Sequence, residues 1–74
     1  MDLAIDCSPE HAEVSVDGVF QGSCGLLSAK KTVLHLEAGT HTILIRASGY
    51  REFRSMVSAN GMRQSLTAHL DPRP

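Results

Sequence analysis

Four histidines and two cysteines are the residues of this 74-residue chain best suited to chemistry. His11, His35, His41 and His69 invite a metal ion, because neutral imidazole is the commonest protein ligand for transition metals. Neither their mutual spacing nor their distance from the cysteines suits zinc. With Ala38-Gly39 as a two-residue turn, Leu36 pairs with His41 and His35 with Thr42. His35 and His41 then lie on opposite faces of one sheet and cannot share an ion. His41 is expected to cap the rim of the core, one ring nitrogen donating to a nearby carbonyl. Neither a metal site nor a cofactor is expected.

Cys7 and Cys24 have two readings. Joined, they would close a loop whose entropy contributes about 3 kcal/mol, a large part of the stability of so small a domain. Unjoined, Cys7 is a small buried hydrophobe in an alternating apolar set and Cys24 an exposed thiol in a Gly-rich loop. Catalysis finds little to work with. Gly22-Ser23-Cys24-Gly25 lacks the flanking spacing and the following helix of a nucleophile elbow. Ala29-Lys30-Lys31-Thr32 has a faint likeness to a phosphate loop but lacks the Gly directly before the Lys. No enzymatic activity and no catalytic residue is expected.

The elements that would position these groups are strands. Period-two alternation dominates and helical spacing is almost absent. Leu3, Ile5 and Cys7 alternate with Ala4 and Asp6 before Ser8-Pro9 ends the run. Val14 and Val16 lead into Asp17-Gly18, a strong hairpin dipeptide because both turn positions need positive φ. Val19-Phe20-Gln21 is the return strand, and residues 22–31 read as irregular. A second hairpin runs from Leu34 and Leu36 through residues 37–40 to a strand bearing Ile43, Ile45 and Ala47 on one face. Ser48-Gly49-Tyr50 is a corner. Residues 51–57 and 62–70 form a third hairpin about Asn60-Gly61, with Phe53, Val57, Leu66, Ala68 and Leu70 facing the core. The expectation is all-β: a small six- to seven-stranded antiparallel β-sandwich, one domain over residues 1–70 with residues 71–74 as a C-terminal tail or linker.

Size and charge narrow the function. A chain of 8.0 kDa holds one small core and no second domain. No apolar run approaches the ~18 residues of a membrane span, so direct membrane insertion is not expected; no signal peptide is visible at Met1-Asp2-Leu3. Residues 1–29 carry Asp2, Asp6, Glu10, Glu13 and Asp17 without a Lys or Arg, a charge of −5. Residues 30–74 carry all seven bases against Glu37, Glu52 and Asp71, a charge of +4. Near-neutrality overall, with only Phe20, Tyr50 and Phe53 as aromatics, argues against a nucleic-acid partner. The asymmetry either pairs within the fold or makes a dipolar surface suited to head-to-tail self-association.

The outward faces suggest a contact. In the hairpin register Val33 lies opposite Leu44, Arg46 opposite Lys31, and Met56 opposite Ser65 between Arg54 and Arg63. Val33, Leu44, Arg46 and Met56 thus form either a partner-contact patch with a basic rim or a second side of the same core.

The turn and core residues together resemble the PEGA domain family over roughly residues 3–70. Leu3, Ile5, Ser8 and Pro9 match its opening strand and turn. Ala12, Val14, Val16, Asp17 and Gly18 match its Ala-x-Val-x-Val-Asp-Gly, and Gly22 its next Gly. Leu36, Gly39 and His41 match a Leu-x-x-Gly-x-His segment, Gly49 and Tyr50 its Gly-Tyr corner, and Leu66 and Leu70 its last strand. Cys24-Gly25 stands where the family usually has Thr-Pro, and Glu37-Ala38-Gly39 where it favours Pro-Glu-Gly or Pro-Pro-Gly. The resemblance implies a small transthyretin-like sandwich of prokaryotic envelope or extracellular proteins. It further implies a structural or protein-interaction module of a larger protein or multisubunit assembly, partnered by another protein, an adjacent domain or its own copies. The alternative is a glycan- or other ligand-binding sandwich, weakened by the absence of Trp.

Overall fold

A computed structural model describes residues 2–29 and 33–73. Seven strands and one short helix follow one another as β1 (Asp2–Ser8), β2 (Glu13–Val16), β3 (Val19–Ser23), α1 (Cys24–Ala29), β4 (Val33–His35), β5 (Gly39–Arg46), β6 (Phe53–Ala59) and β7 (Gln64–His69). They form two sheets, β4-β1-β7 and β3-β2-β5-β6, which is the expected all-β sandwich. Every named strand pair is antiparallel except β1 and β7, which run parallel from Leu3·Gln64 to Ser8·His69.

Alternation places the core as the sequence suggests. Leu3, Ile5 and Cys7 from β1 meet Val14, Val16, Ile43 and Ile45 from the four-stranded sheet, and Val57, Ala59, Ala68 and Leu70 complete the layer. Phe53, Leu66 and Ala47 pack against it, half-buried. No polar side chain is buried among the described residues. The core is therefore wholly apolar and gains its stability from area removed from water.

The Asp17-Gly18 hairpin forms as expected. Both residues have positive φ, 51° and 82°, and Val16 pairs with Val19 across the turn. The other two expected hairpins do not form. β4 pairs with β1, so Val33 lies opposite Ala4 and not Leu44, and His35 opposite Asp2 and not Thr42. β5 lies in the other sheet between β2 and β6. Likewise β6 pairs only with β5, and β7 crosses to β1, so Met56 lies opposite Thr42 and not Ser65. Both connections are arches between sheets. A strand that faces its successor across the core shows the same period-two pattern as one that pairs with it edge to edge, so alternation does not separate the two.

Residues 24–29, read as irregular, are helical. Ser23 accepts a hydrogen bond from the Leu26 amide at 3.3 Å and caps the helix. The Cys24 and Gly25 amides donate to the carbonyls of Ala12 and Glu10 at 2.8 and 2.9 Å. Gly25 permits that approach, since a Cβ there would lie 3.1 Å from Glu10 Cβ and 3.2 Å from its carbonyl oxygen. Cys24 and Leu27, three residues apart, put one helix face into the core.

Residues 71–73, expected as a tail, bond back to the 49–51 corner. Arg51 N donates to the Asp71 carbonyl and Arg73 N to that of Gly49, each at 2.8 Å, and Pro72 bridges Tyr50. Pro72 needs no donor in this arrangement, because its two neighbours supply the polar groups.

Candidate functional site

The residues with chemical potential are dispersed by the two sheets. His41, at the start of β5, lies between two acceptors. Its Nδ1 is 2.6 Å from Asp17 Oδ2 and its Nε2 is 2.7 Å from the Glu37 carbonyl. A carboxylate and a carbonyl only accept, so both bonds form only when both ring nitrogens carry protons. The Glu37 carbonyl first, and the Asp17 carboxylate second, hold the His41 pKa above its ordinary 6.5. Asp17 also accepts from the Thr42 amide at 2.9 Å, and this bond, followed by that from His41, lowers its pKa below the ordinary 3.8. The Asp17 amide in turn donates to the Thr42 carbonyl at 2.9 Å. One imidazole thus joins the β2–β3 turn, the first residues of β5 and the arch leaving the three-stranded sheet. Its side chain is 16% exposed, at the rim of the core.

The other histidines stand apart. His35 meets Asp2 Oδ1 at 2.8 Å on the surface, and His11 packs edge-on against Tyr50, ring centroids 5.9 Å apart. His69 Nδ1 is 2.8 Å from Ser8 Oγ, a pair created by the parallel register of β1 and β7. The sequence reading paired residues 62–70 with 51–57 and assigned β1 no partner, so it did not find this pair. The other ring nitrogen of His69 has no hydrogen-bond partner among the described residues. No group of three or more His, Cys, Asp or Glu placed to hold a metal occurs among them either. His35 and His41 are separated by lying in different sheets, not on two faces of one. The Lys30-Lys31-Thr32 stretch, and with it the pairing of Lys31 to Arg46, lies outside the described residues.

Cys7 and Cys24 form a disulfide that fastens β1 to the first residue of α1. Both are buried, so the bridge belongs to the core and Cys24 is not an exposed thiol.

A family model of the PEGA domain matches residues 1–74, the whole chain. This chain belongs to the PEGA domain family. No individual curated protein matches it. In this PEGA domain the motif residues converge on two structural joints. Asp17 and His41 build the His41 network, Gly18 completes the turn that holds Asp17, and Gly39 opens β5 two residues before the histidine. Gly49 and Tyr50 form the corner that receives residues 71–73. Gly22 sits opposite Val14, where the β2–β3 register shifts by a bulge.

The proposed contact residues divide between the faces. Val33 lies in the three-stranded sheet, half-buried beside Ala4, and leaves the patch. Leu44, Arg46 and Met56 share the outer face of the four-stranded sheet. Leu44 is flanked by Ser15 and Arg54, Arg46 lies opposite Glu13, and Met56 is the diagonal neighbour of Leu44. Arg63, just before β7, lines a hollow with Ala4, Asp6 and Ser65 of the other sheet and does not flank Met56. Phe20, 62% exposed, lies opposite Ser15 on this same face and lines a shallow hollow with Leu44, Arg46 and Glu13. The signal for Phe20 was available: a two-residue turn at Asp17-Gly18 sets Phe20 opposite Ser15, and Ser15 alternates outward between Val14 and Val16. A second hollow, of about 570 Å³, opens at the corner between His11, Tyr50, Glu52 and Arg73.

Proposed function

We propose that this PEGA domain is a non-enzymatic module of a larger surface or envelope protein, held to a protein partner or neighbouring domain by the outer face of its four-stranded sheet. The observation that carries this reading is the meeting of Phe20, Leu44 and Met56 on that face, with Arg46 and Arg54 beside them. Clustered apolar side chains rimmed by Arg fit the anatomy of a protein interface, whereas single exposed apolar residues do not. Family membership supports a surface module. The buried disulfide supports the same compartment, since such bridges persist outside the reducing cytosol.

Two exposed methionines among the described residues provide the test. Met56 is 71% exposed on the face, and Met62 is 68% exposed in the arch before β7. Oxidative footprinting of the isolated domain and of the protein that contains it should slow sulfoxide formation at Met56 by about tenfold in the latter, leaving Met62 unchanged. Leu44→Asp should restore Met56 oxidation without altering the fold. Equal Met56 rates in both settings would remove the proposed face.

The ligand-binding alternative would use the corner hollow, where Tyr50 is half-buried and engaged edge-on with His11. Glycan fragments that leave the Tyr50 and His11 resonances unmoved would retire it.

A further inference from the structure

The first and last strands of the sandwich are neighbours, and they are parallel. β1 and β7 share six paired positions, from Leu3·Gln64 to Ser8·His69. Chain entering at Asp2 and chain leaving after Arg73 therefore do so at opposite ends of the same ladder. With about 3.3 Å per residue, the paired segment alone separates them by roughly 20 Å. We infer that the domain bears tension along the polypeptide, with the β1–β7 ladder as its mechanical clamp. This inference rests on the reading that the domain works within a longer chain.

Direction of load decides how a ladder yields. When two neighbouring strands are pulled lengthwise in opposite senses, every bond between them is strained together. When adjacent ends are drawn apart sideways, the bonds break one at a time. Tension between the entering and leaving segments of this domain loads the β1–β7 ladder in the first way. Hairpin-joined terminal strands would give a different geometry, because antiparallel neighbours bring entry and exit closer to the same end.

Three further features oppose sliding. The Leu70 amide donates to the Ser8 carbonyl at 3.0 Å, continuing the clamp past its last pair. The Cys7–Cys24 bridge lies near the far end of β1, so β1 cannot move past β7 without dragging α1, whose Leu27 is seated in the core. Residues 71–73 bond to the 49–51 corner, so load on the leaving chain is shared between β7 and the β5–β6 side of the other sheet. Both sheets are thereby engaged from one terminal strand.

The test holds the 74-residue chain between handles in a single-molecule force instrument at one loading rate. Handles at the two termini strain the clamp lengthwise. Handles at the N-terminus and in the exposed Asn60-Gly61 arch peel it, because that arch precedes Gln64, the partner of Leu3. A handle at exposed Ala38 supplies a second peeling geometry, since the chain leaves the Asp2·His35 pair at that same end. The length released on rupture reports whether each handled chain was folded. With the bridge intact the terminal geometry should release less chain by the 17 residues it spans, at most about 60 Å. Rupture through the termini should need at least about twice the force of either peeling geometry, because forced unfolding follows the barrier along the pulled direction. Equal forces in all three would overturn the clamp. That outcome would leave Met56 protection in the parent protein untouched, so the two readings fail separately.

Discussion

His41 holds two acceptors with one ring, and its charge state therefore acts on folding. Because its pKa is raised above 6.5, the stability it contributes is fully present below pH 6.5 and is lost as pH rises through the raised value. Asp17 acts in the opposite sense: its pKa is lowered below 3.8, so its contribution is present above that pH and is lost as pH falls through the lowered value. The two windows overlap between pH 3.8 and 6.5, where this pair stabilises most. Thermal unfolding should accordingly show a melting temperature that declines from pH 6 toward pH 8, and His41→Gln should flatten that decline. A wild-type slope unchanged by the substitution would assign the decline to another group. Cys7 and Cys24 act through the unfolded chain instead. Joining residues 17 apart removes loop entropy worth about 3 kcal/mol, so the double variant Cys7→Ala, Cys24→Ala should lose about that much in denaturant unfolding. For a domain whose whole stability is roughly 4–11 kcal/mol, such a loss leaves a visible unfolded fraction at the low end.

Among the elements, α1 owes its existence to its surroundings. Six residues are too few to hold a helix in water, and this one is assembled from a Ser23 cap, two loop carbonyls, a disulfide and Leu27 in the core. Ser23→Ala should cost about 1 kcal/mol and raise amide exchange in α1 selectively. Uniform acceleration throughout the domain would show instead that α1 opens only with global unfolding. The strands divide into protected and open edges. β3 carries a register shift at its pairing with β2, and β4 spans three of the described residues. β6 and β7, seven and six residues long, contain no Pro to blunt their free sides. The candidate face lies on the β3-β2-β5-β6 sheet, so its Phe20, Leu44 and Met56 come from three different strands. Their grouping is a property of pairing order and of no single segment.

For the whole molecule, the balance of charge and the path of the chain matter more than any one contact. The acidic first part supplies β1, β2, β3 and α1, while Arg46, Arg51, Arg54, Arg63 and Arg73 all follow β4. Within the four-stranded sheet the order β3-β2-β5-β6 sets β2, with Glu13, beside β5 and β6, with Arg46 and Arg54, and Glu13 lies opposite Arg46. No helix of the described residues is long and apolar enough to cross a membrane. The longest dimension is 38 Å against 23 and 18 Å, and the parallel terminal strands take the chain in at one end of their ladder and out at the other. At this scale the decisive measurement is the comparison of pulling directions, because no residue-level substitution separates a mechanical clamp from ordinary stability.

Inward-facing residues were legible throughout. Leu3, Ile5, Val14, Val16, Ile43, Ile45 and Val57 all lie where alternation placed them, and Asp17-Gly18 turns where its chemistry requires. These outcomes follow from interactions within a few residues: side chains alternate along any strand, and Gly accepts positive φ at little cost. The outward placement of Leu44 and Met56 was legible too, because both alternate away from the core, but Val33 pairs in the other sheet. Partner choice between strands depended on the tertiary structure. An arch and a hairpin share one local pattern, and the β1–β7 pairing brings together Ser8 and His69, 61 positions apart. The hydrophobic gain of closing two sheets over one apolar core selects among such pairings, and that gain exists only once the whole chain has folded.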